Sequence, residues 1–139
     1  MQFELATPTR LLVSSEVDEV VAPGTEGYFG VLPGHAAFLT TLTAGDLMYR
    51  HGRDEHHLAV IGGFAEVNAD HVIVLAEAAE RPEEIDRERA ERARQRAEQR
   101  LAGRSPTAAA EEIDYTRALA ALARALARLE VANRASHHS

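Results

Sequence analysis

The sequence predicts a β + α chain: an N-terminal antiparallel β-sandwich followed by a C-terminal antiparallel two-helix hairpin. Three observations carry this. In the first 80 residues, short apolar runs alternate with turn residues at spacings of about 8–12 positions, the rhythm of an antiparallel sandwich or barrel. From Pro82 onward Ala, Glu, Arg and Leu dominate, and strand-like runs stop. The charge divides at the same place. Residues 1–80 carry 3 Arg against 12 acids, residues 81–139 carry 12 Arg against 10, and Lys is absent from a chain of net charge −7.

Phe3 and Leu5 alternate with Gln2 and Glu4, as in a half-buried strand, and Thr7-Pro8-Thr9 breaks it. Residues 11–13 and 17–21 form two further runs around the polar Ser14, Ser15 and Glu16, and Ala22-Pro23-Gly24 reads as a turn. Residues 26–39 are the most distinctive stretch. Gly27, Gly30, Pro33 and Gly34 break up the apolar Tyr28, Phe29, Val31 and Leu32, which are too interrupted for a helix. They read as a tight, glycine-shaped surface joining two strands, open to a partner or packing its own aromatics. A strand over 38–42 turns at Ala44-Gly45-Asp46. Residues 47–50 and 57–61 pair around His51-Gly52-Arg53-Asp54, and residues 64–67 and 72–75 pair around Asn68-Ala69-Asp70.

Beyond Pro82, Glu83, Glu84 and Asp86 crowd a helix N-terminus, where the dipole favours anions. The pairs Glu83/Arg87 and Glu88/Arg92 have the favourable i,i+4 order. Ala90, Ala93, Ala97 and Leu101 make a narrow small-residue stripe, and Gly103 stops the helix. Ser105-Pro106 starts a second helix, in which Tyr115, Leu119, Leu122, Leu126 and Leu129 follow heptad spacing. The units expected are a sandwich over 1–82, a hairpin over 83–135 and a frayed tail over 136–139. Two narrow stripes bury little, so the hairpin is expected to dock elsewhere and to undock at modest cost.

Without Cys there is no disulfide, thiolate nucleophile or thiolate metal site. The longest uncharged apolar run, residues 58–65, falls far short of the about 20 residues of a membrane span. No basic-then-apolar leader opens the chain, so a soluble protein is expected, with any membrane association made through a partner. The acidity argues against nucleic acid as the main partner. His51, His56 and His57 cluster near one turn, but no HExxH pattern accompanies them, and neither a catalytic residue nor a metal site is expected. Arg89, Arg96 and Arg100 share one helical face with Asp86, and Arg117, Arg124 and Arg128 share another. If the two stripes converge they form a cleft suited to phosphates. If not, they are solvated faces neutralised by Glu80, Glu83, Glu98 and Glu112.

Three stretches, in order and spanning nearly the whole chain, carry a family resemblance. They are Glu26-Gly27-Tyr28-Phe29-Gly30-Val31-Leu32-Pro33-Gly34-His35-Ala36, then Gly62-Gly63-Phe64-Ala65-Glu66-Val67, then Ile85-Asp86-Arg87-Glu88-Arg89-Ala90. Together they resemble the epsilon-subunit family of F-type ATP synthases. The resemblance implies a sandwich that joins the gamma subunit and the c-ring through Glu26, Gly27, Gly30, Leu32, Pro33, Gly34 and His35. It implies helices that rise towards the catalytic alpha/beta subunits and inhibit ATP hydrolysis, in a subunit with no catalysis and no required cofactor. It implies ATP as a regulatory ligand at Ile85, Asp86, Arg89, Ala90, Arg96, Arg124 and Arg128. The implied location is the cytoplasmic face of the bacterial cell membrane, peripheral, within the proton-translocating complex. Two other readings stand beside it: a free-standing nucleotide-sensing β-sandwich module, and a small metal-dependent hydrolase using His51, His56 and His57.

Overall fold

The computed structural model describes residues 1–102 and 109–137. Eight strands come first: β1 (Gln2–Ala6), β2 (Leu11–Glu16), β3 (Glu19–Gly24), β4 (Gly27–Val31), β5 (Phe38–Leu42), β6 (Gly45–His51), β7 (Asp54–Val67) and β8 (His71–Glu80). A single 3-10 turn, Pro82–Glu84, leads into α1 (Arg87–Leu101), and α2 spans Ala109–His137. The strands form one hydrogen-bonded path, β2-β1-β8-β7-β5-β3-β4, with β6 bridging β3 and β7.

The path closes into a sandwich because β7 serves both layers. Its first half pairs with β6 and its second half with β5, while β8 runs alongside both. The strand bends at Gly62 and Gly63, whose φ angles are +68° and +120°. A Cβ on Gly63 would stand 2.1 Å from the Leu75 carbonyl oxygen, so only glycine fits there. Between the layers lies a core containing Phe3, Leu5, Val20, Val31, Leu47, Leu58, Val60, Val67, Val72 and Val74.

Several sequence expectations change. The sandwich is not wholly antiparallel, because β1 pairs with β8 in parallel. Ala22, Pro23 and Gly24 are not a turn but the buried end of β3. Gly24 faces Gly27 across the tight turn that follows. Ser14, Ser15 and Glu16 are not a break but the exposed half of β2. Residues 57–61 and 64–67, read as two strands, are one bent strand. The stretch 27–31 is itself a strand, so the expected single loop is a turn, a strand and a second turn.

The helices change too. Glu83 and Glu84 lie in the 3-10 turn, and α1 begins after Asp86, whose Oδ1 accepts the backbone N–H of Arg89 at 3.0 Å. A cap of this kind contributes about 1 kcal/mol. Arg94 pairs with Glu91 and Glu98 on the exposed side of α1. The expected leucine seam on α2 is not the buried face. Ala118, Ala125 and Ala132 are buried, heptad-spaced, whereas Leu119 and Leu126 stay 44% and 47% exposed. The partner stripe on α1 explains this. Its buried residues are Ala90 and Ala97, and alanine against alanine lets two helix axes approach where leucines would hold them apart. Arg87, at the start of α1, donates from Nη2 to the Ala132 carbonyl near the end of α2, so the pair is antiparallel.

The hairpin rests on the sandwich through a small cluster of Ala59, Ile85, Val131 and Ala132. α2 continues to His137, past the expected start of the frayed tail at residue 136. The helix stop at Gly103, the start at Ser105-Pro106 and residues 138–139 lie outside the described residues.

Candidate functional site

Between α1 and α2 lies a cavity of about 470 Å³. Asp86, Arg89, Ala90, Arg96 and Arg100 line it from α1 and its cap, Ala118, Ala121, Arg124, Ala125 and Arg128 from α2, and Glu80 and Glu84 from the junction with the sandwich. Helix geometry produces this. Arg89, Arg96 and Arg100 recur at the spacing of one face, flanking the alanine seam, and Arg124 and Arg128 do the same on the facing helix. Small seam residues leave the floor low, and long arginines raise the walls.

Six of the seven residues in the expected ATP set are therefore brought together: Asp86, Arg89, Ala90, Arg96, Arg124 and Arg128. Ile85 is not in the cavity wall. It is buried against Ala59, Val131 and Ala132, and so anchors the hairpin to the sandwich. Arg117, expected on the same stripe, is exposed and also outside the wall. The motif Ile85-Asp86-Arg87-Glu88-Arg89-Ala90 thus combines an anchor, a helix cap, a cavity wall and a seam residue.

Sequence reasoning missed Glu80 and Glu84 as wall residues. Glu80 accepts from Nε of Arg128, and Glu84 is held by Arg10. Arg89, Arg96, Arg100 and Arg124 have no ion-pair partner among the described residues. Five guanidinium groups against three carboxylates make a cationic cleft, and guanidinium forks match phosphate oxygens bidentately. The volume falls in the usual range for small-molecule sites, roughly 300–1,000 Å³.

Six of the seven expected partner residues fall into two groups, with Gly30 between them on β4. Glu26 and Gly27 form the turn at one end of β4, while Leu32, Pro33, Gly34 and His35 form the turn at the other, about 17 Å away along five strand residues. Gly27 and Gly34 have φ of +128° and +89°. Gly30 does not need glycine's freedom. A Cβ there would meet nothing closer than Val21 at 3.9 Å. The 32–35 turn is tied to the β7–β8 turn by the Gly34 N–H donating to Ala69 O at 2.7 Å, and His35 packs on Phe38. Leu32 is exposed.

A second surface was not legible. Leu11 lies opposite Ala6, Ala6 opposite Leu75, and Leu75 opposite Phe64, so an apolar row crosses β2, β1, β8 and β7. Leu11, Leu75 and Phe64 are all more than half exposed. Only the parallel β1–β8 pairing aligns them, and nothing local announces that pairing.

The three histidines of the hydrolase reading go to different partners. His51 faces the Glu16 carbonyl, His56 stacks on Tyr49, and His57 bridges Asp46 and Glu55. His56 and His57 are consecutive strand residues and face opposite sides of the sheet. No metal-holding cluster occurs among the described residues.

A closed β-sandwich carrying a docked alanine-seamed helical hairpin with a cationic cleft is a two-part architecture, and comparison with known proteins identifies it. The family model for the beta-sandwich domain of the ATP synthase delta/epsilon chain matches residues 1–82, and that for its long alpha-helix domain matches residues 83–133. The ATP synthase epsilon chain of Nitratidesulfovibrio vulgaris is 52% identical over 131 residues, 94% of each chain. That of Syntrophobacter fumaroxidans is 49% identical over 134 residues, 96% of each chain. Among solved structures, a chain of the Euglena gracilis mitochondrial ATP synthase (an OSCP/F1/c-ring structure) is similar with TM-score 0.77 and 27% identity, covering 94% of this chain and 79% of that one. A chain from the central stalk and c-ring of the Tetrahymena thermophila enzyme, 14% identical with TM-score 0.61, shares the fold. The chain belongs to the ATP synthase epsilon family. Among its described residues, no helix is long and apolar enough to cross a membrane.

Proposed function

We propose that this chain is a non-catalytic central-stalk subunit of a rotary ATP synthase, and that its helical hairpin is a regulatory element that takes ATP in the interhelical cleft. The sandwich provides attachment. The exposed row of Leu11, Leu75 and Phe64 suits burial against the gamma subunit, and the turn 32–35 suits contact with the c-ring at the cytoplasmic face of the membrane. The hairpin provides restraint. When extended along gamma towards the alpha/beta subunits, it blocks ATP hydrolysis. The observation that carries the nucleotide role is the set of four arginines, without an ion-pair partner among the described residues, around a cavity of about 470 Å³. The cleft exists only while the helices pack together, so ATP bound there favours the compact form by its differential affinity for it. No cofactor is required by this reading.

The test is hydrolysis by the reconstituted complex with the full chain or with a chain ending at Glu84, which keeps all eight strands. The full chain should inhibit, with relief as ATP rises, and the shortened chain should assemble without inhibiting. Equal hydrolysis with both chains, at low and high ATP, would remove the regulatory reading.

A further inference from the structure

Away from the cleft, a second charged cluster joins the hairpin to the sandwich. Asp46, on β6, is a buried carboxylate at 5% exposure. Its Oδ1 lies 2.8 Å from Nδ1 of His57, itself buried on β7. Its Oδ2 lies 2.5 Å from Nε of Arg134, in the last turns of α2. The other His57 nitrogen, Nε2, lies 2.9 Å from Glu55 on β7, and Arg134 also faces Glu130 on its own helix at 3.5 Å. From β4, the Tyr28 hydroxyl accepts the Asp46 backbone N–H at 3.1 Å. Val21 on β3 and Met48 on β6 complete the walls of this pocket. One buried carboxylate therefore serves two partners, an imidazole of the sandwich and a guanidinium of α2.

We infer that Asp46, His57 and Arg134 form a latch that holds the end of α2 on the sandwich, and that protonation of His57 loosens it by taking over Asp46. This rests on the movable hairpin proposed above. The contacts of His57 with Asp46 and Glu55 lie within the sandwich and survive undocking. What α2 brings is different. It adds the Arg134 charge, which repels the imidazolium, and, with Glu130 and Arg134 walling the pocket, further burial that disfavours it. Burial opposes the charge on His57, but the hydrogen bonds to Asp46 and Glu55 and the Asp46 charge outweigh it, leaving the group above its ordinary 6.5. Undocking removes the two opposing influences, so the undocked state binds the proton more tightly. Acidification therefore shifts the equilibrium towards release, and rising pH towards docking. With His57 neutral, the loss of Arg134 would leave the buried Asp46 without a cation, which makes undocking costly.

The chain has no native cysteine, so a pair introduced at Arg53 and Ala120, both exposed and outside the cluster, can carry spin labels. Pulsed dipolar spectroscopy on the full chain then reads docked and undocked populations, without ligand, from about pH 8.5 to about pH 6. The ratio of docked to undocked chain should fall by about threefold on acidification, and Arg134→Gln should lower it by at least about threefold at the alkaline end. Arg134→Lys should keep most of the docking, and His57→Gln should abolish the pH response. Circular dichroism confirms that each variant is folded, and Arg134→Lys keeps the test decisive if His57→Gln fails to fold. Unchanged populations in Arg134→Gln, or a pH response that persists in folded His57→Gln, would overturn the latch. If ATP shifts the wild-type populations while neither acidification nor Arg134→Gln does, the latch falls and the movable hairpin stands. If neither ATP nor any variant shifts them, both fall.

Discussion

Arg10 and Glu84, 74 residues apart, are joined by two hydrogen bonds, Nη1 to Oε2 at 2.7 Å and Nη2 to Oε1 at 3.1 Å. Arg10 follows β1 and Glu84 ends the turn that leads into the hairpin, so the pair fixes the direction in which the chain leaves the sandwich. Arg10 also reaches the Ala79 carbonyl, and Arg81 reaches that of Leu12. The bidentate contact holds Glu84 below its ordinary value of 4.5, with a second contribution from the Arg81 backbone N–H.

A carboxylate with a depressed pKa contributes stability above its unfolded pKa and loses it as pH falls through the folded value. This contribution should therefore be full at neutral pH and vanish below the ordinary carboxylate range. Carboxyl NMR titration should show the Glu84 midpoint rising towards 4.5 in Arg10→Ala. An unchanged midpoint would mean that the Arg81 N–H alone holds the shift.

The two conspicuous glycine sites should respond oppositely. Gly63→Ala places a Cβ into the β8 backbone and should cost more than about 3 kcal/mol, read as a lowered urea midpoint. Gly30→Ala has room and should leave the midpoint within about 0.5 kcal/mol. If it nevertheless weakens co-purification with gamma, the outer face of β4 is an interface.

Helix seam and exposed face should likewise separate. Ala125→Leu should drive the helices apart and cost about 1–3 kcal/mol, whereas Leu126→Ala should cost under about 1 kcal/mol, by thermal unfolding of the full chain. Equal costs would mean that the leucines, not the alanines, pack the pair.

Much of this was written locally. Pro82 and the change in composition mark where strands give way to helices. Asp86, Arg89 and Ala90 announce the head of the cleft, and Ile85 beside them anchors it to the sandwich. The buried seam of α2 was legible as well, in Ala118, Ala125 and Ala132, but the heptad leucines on the same helix gave the louder signal. The rest depends on register between distant strands. Leu11, Leu75 and Phe64 become one row only through β1–β8 pairing. Asp46 read as a turn residue, and nothing near it in sequence points to Arg134, 88 positions later. Glu80 reaches Arg128 only because β8 ends beside α2.

The central claim is that the interhelical cleft binds ATP, and the most direct measurement is calorimetric titration of the isolated full chain with ATP. Wild type should bind. Arg89→Ala and Arg124→Ala should each weaken binding by roughly 1.5–3 kcal/mol, as expected when a charged hydrogen bond is lost, and Glu98→Ala, outside the cavity wall, should bind as wild type does. Absence of binding at about millimolar ATP, near −4 kcal/mol on the affinity scale, or equal binding by all three variants, would contradict it and leave the arginines as solvated faces.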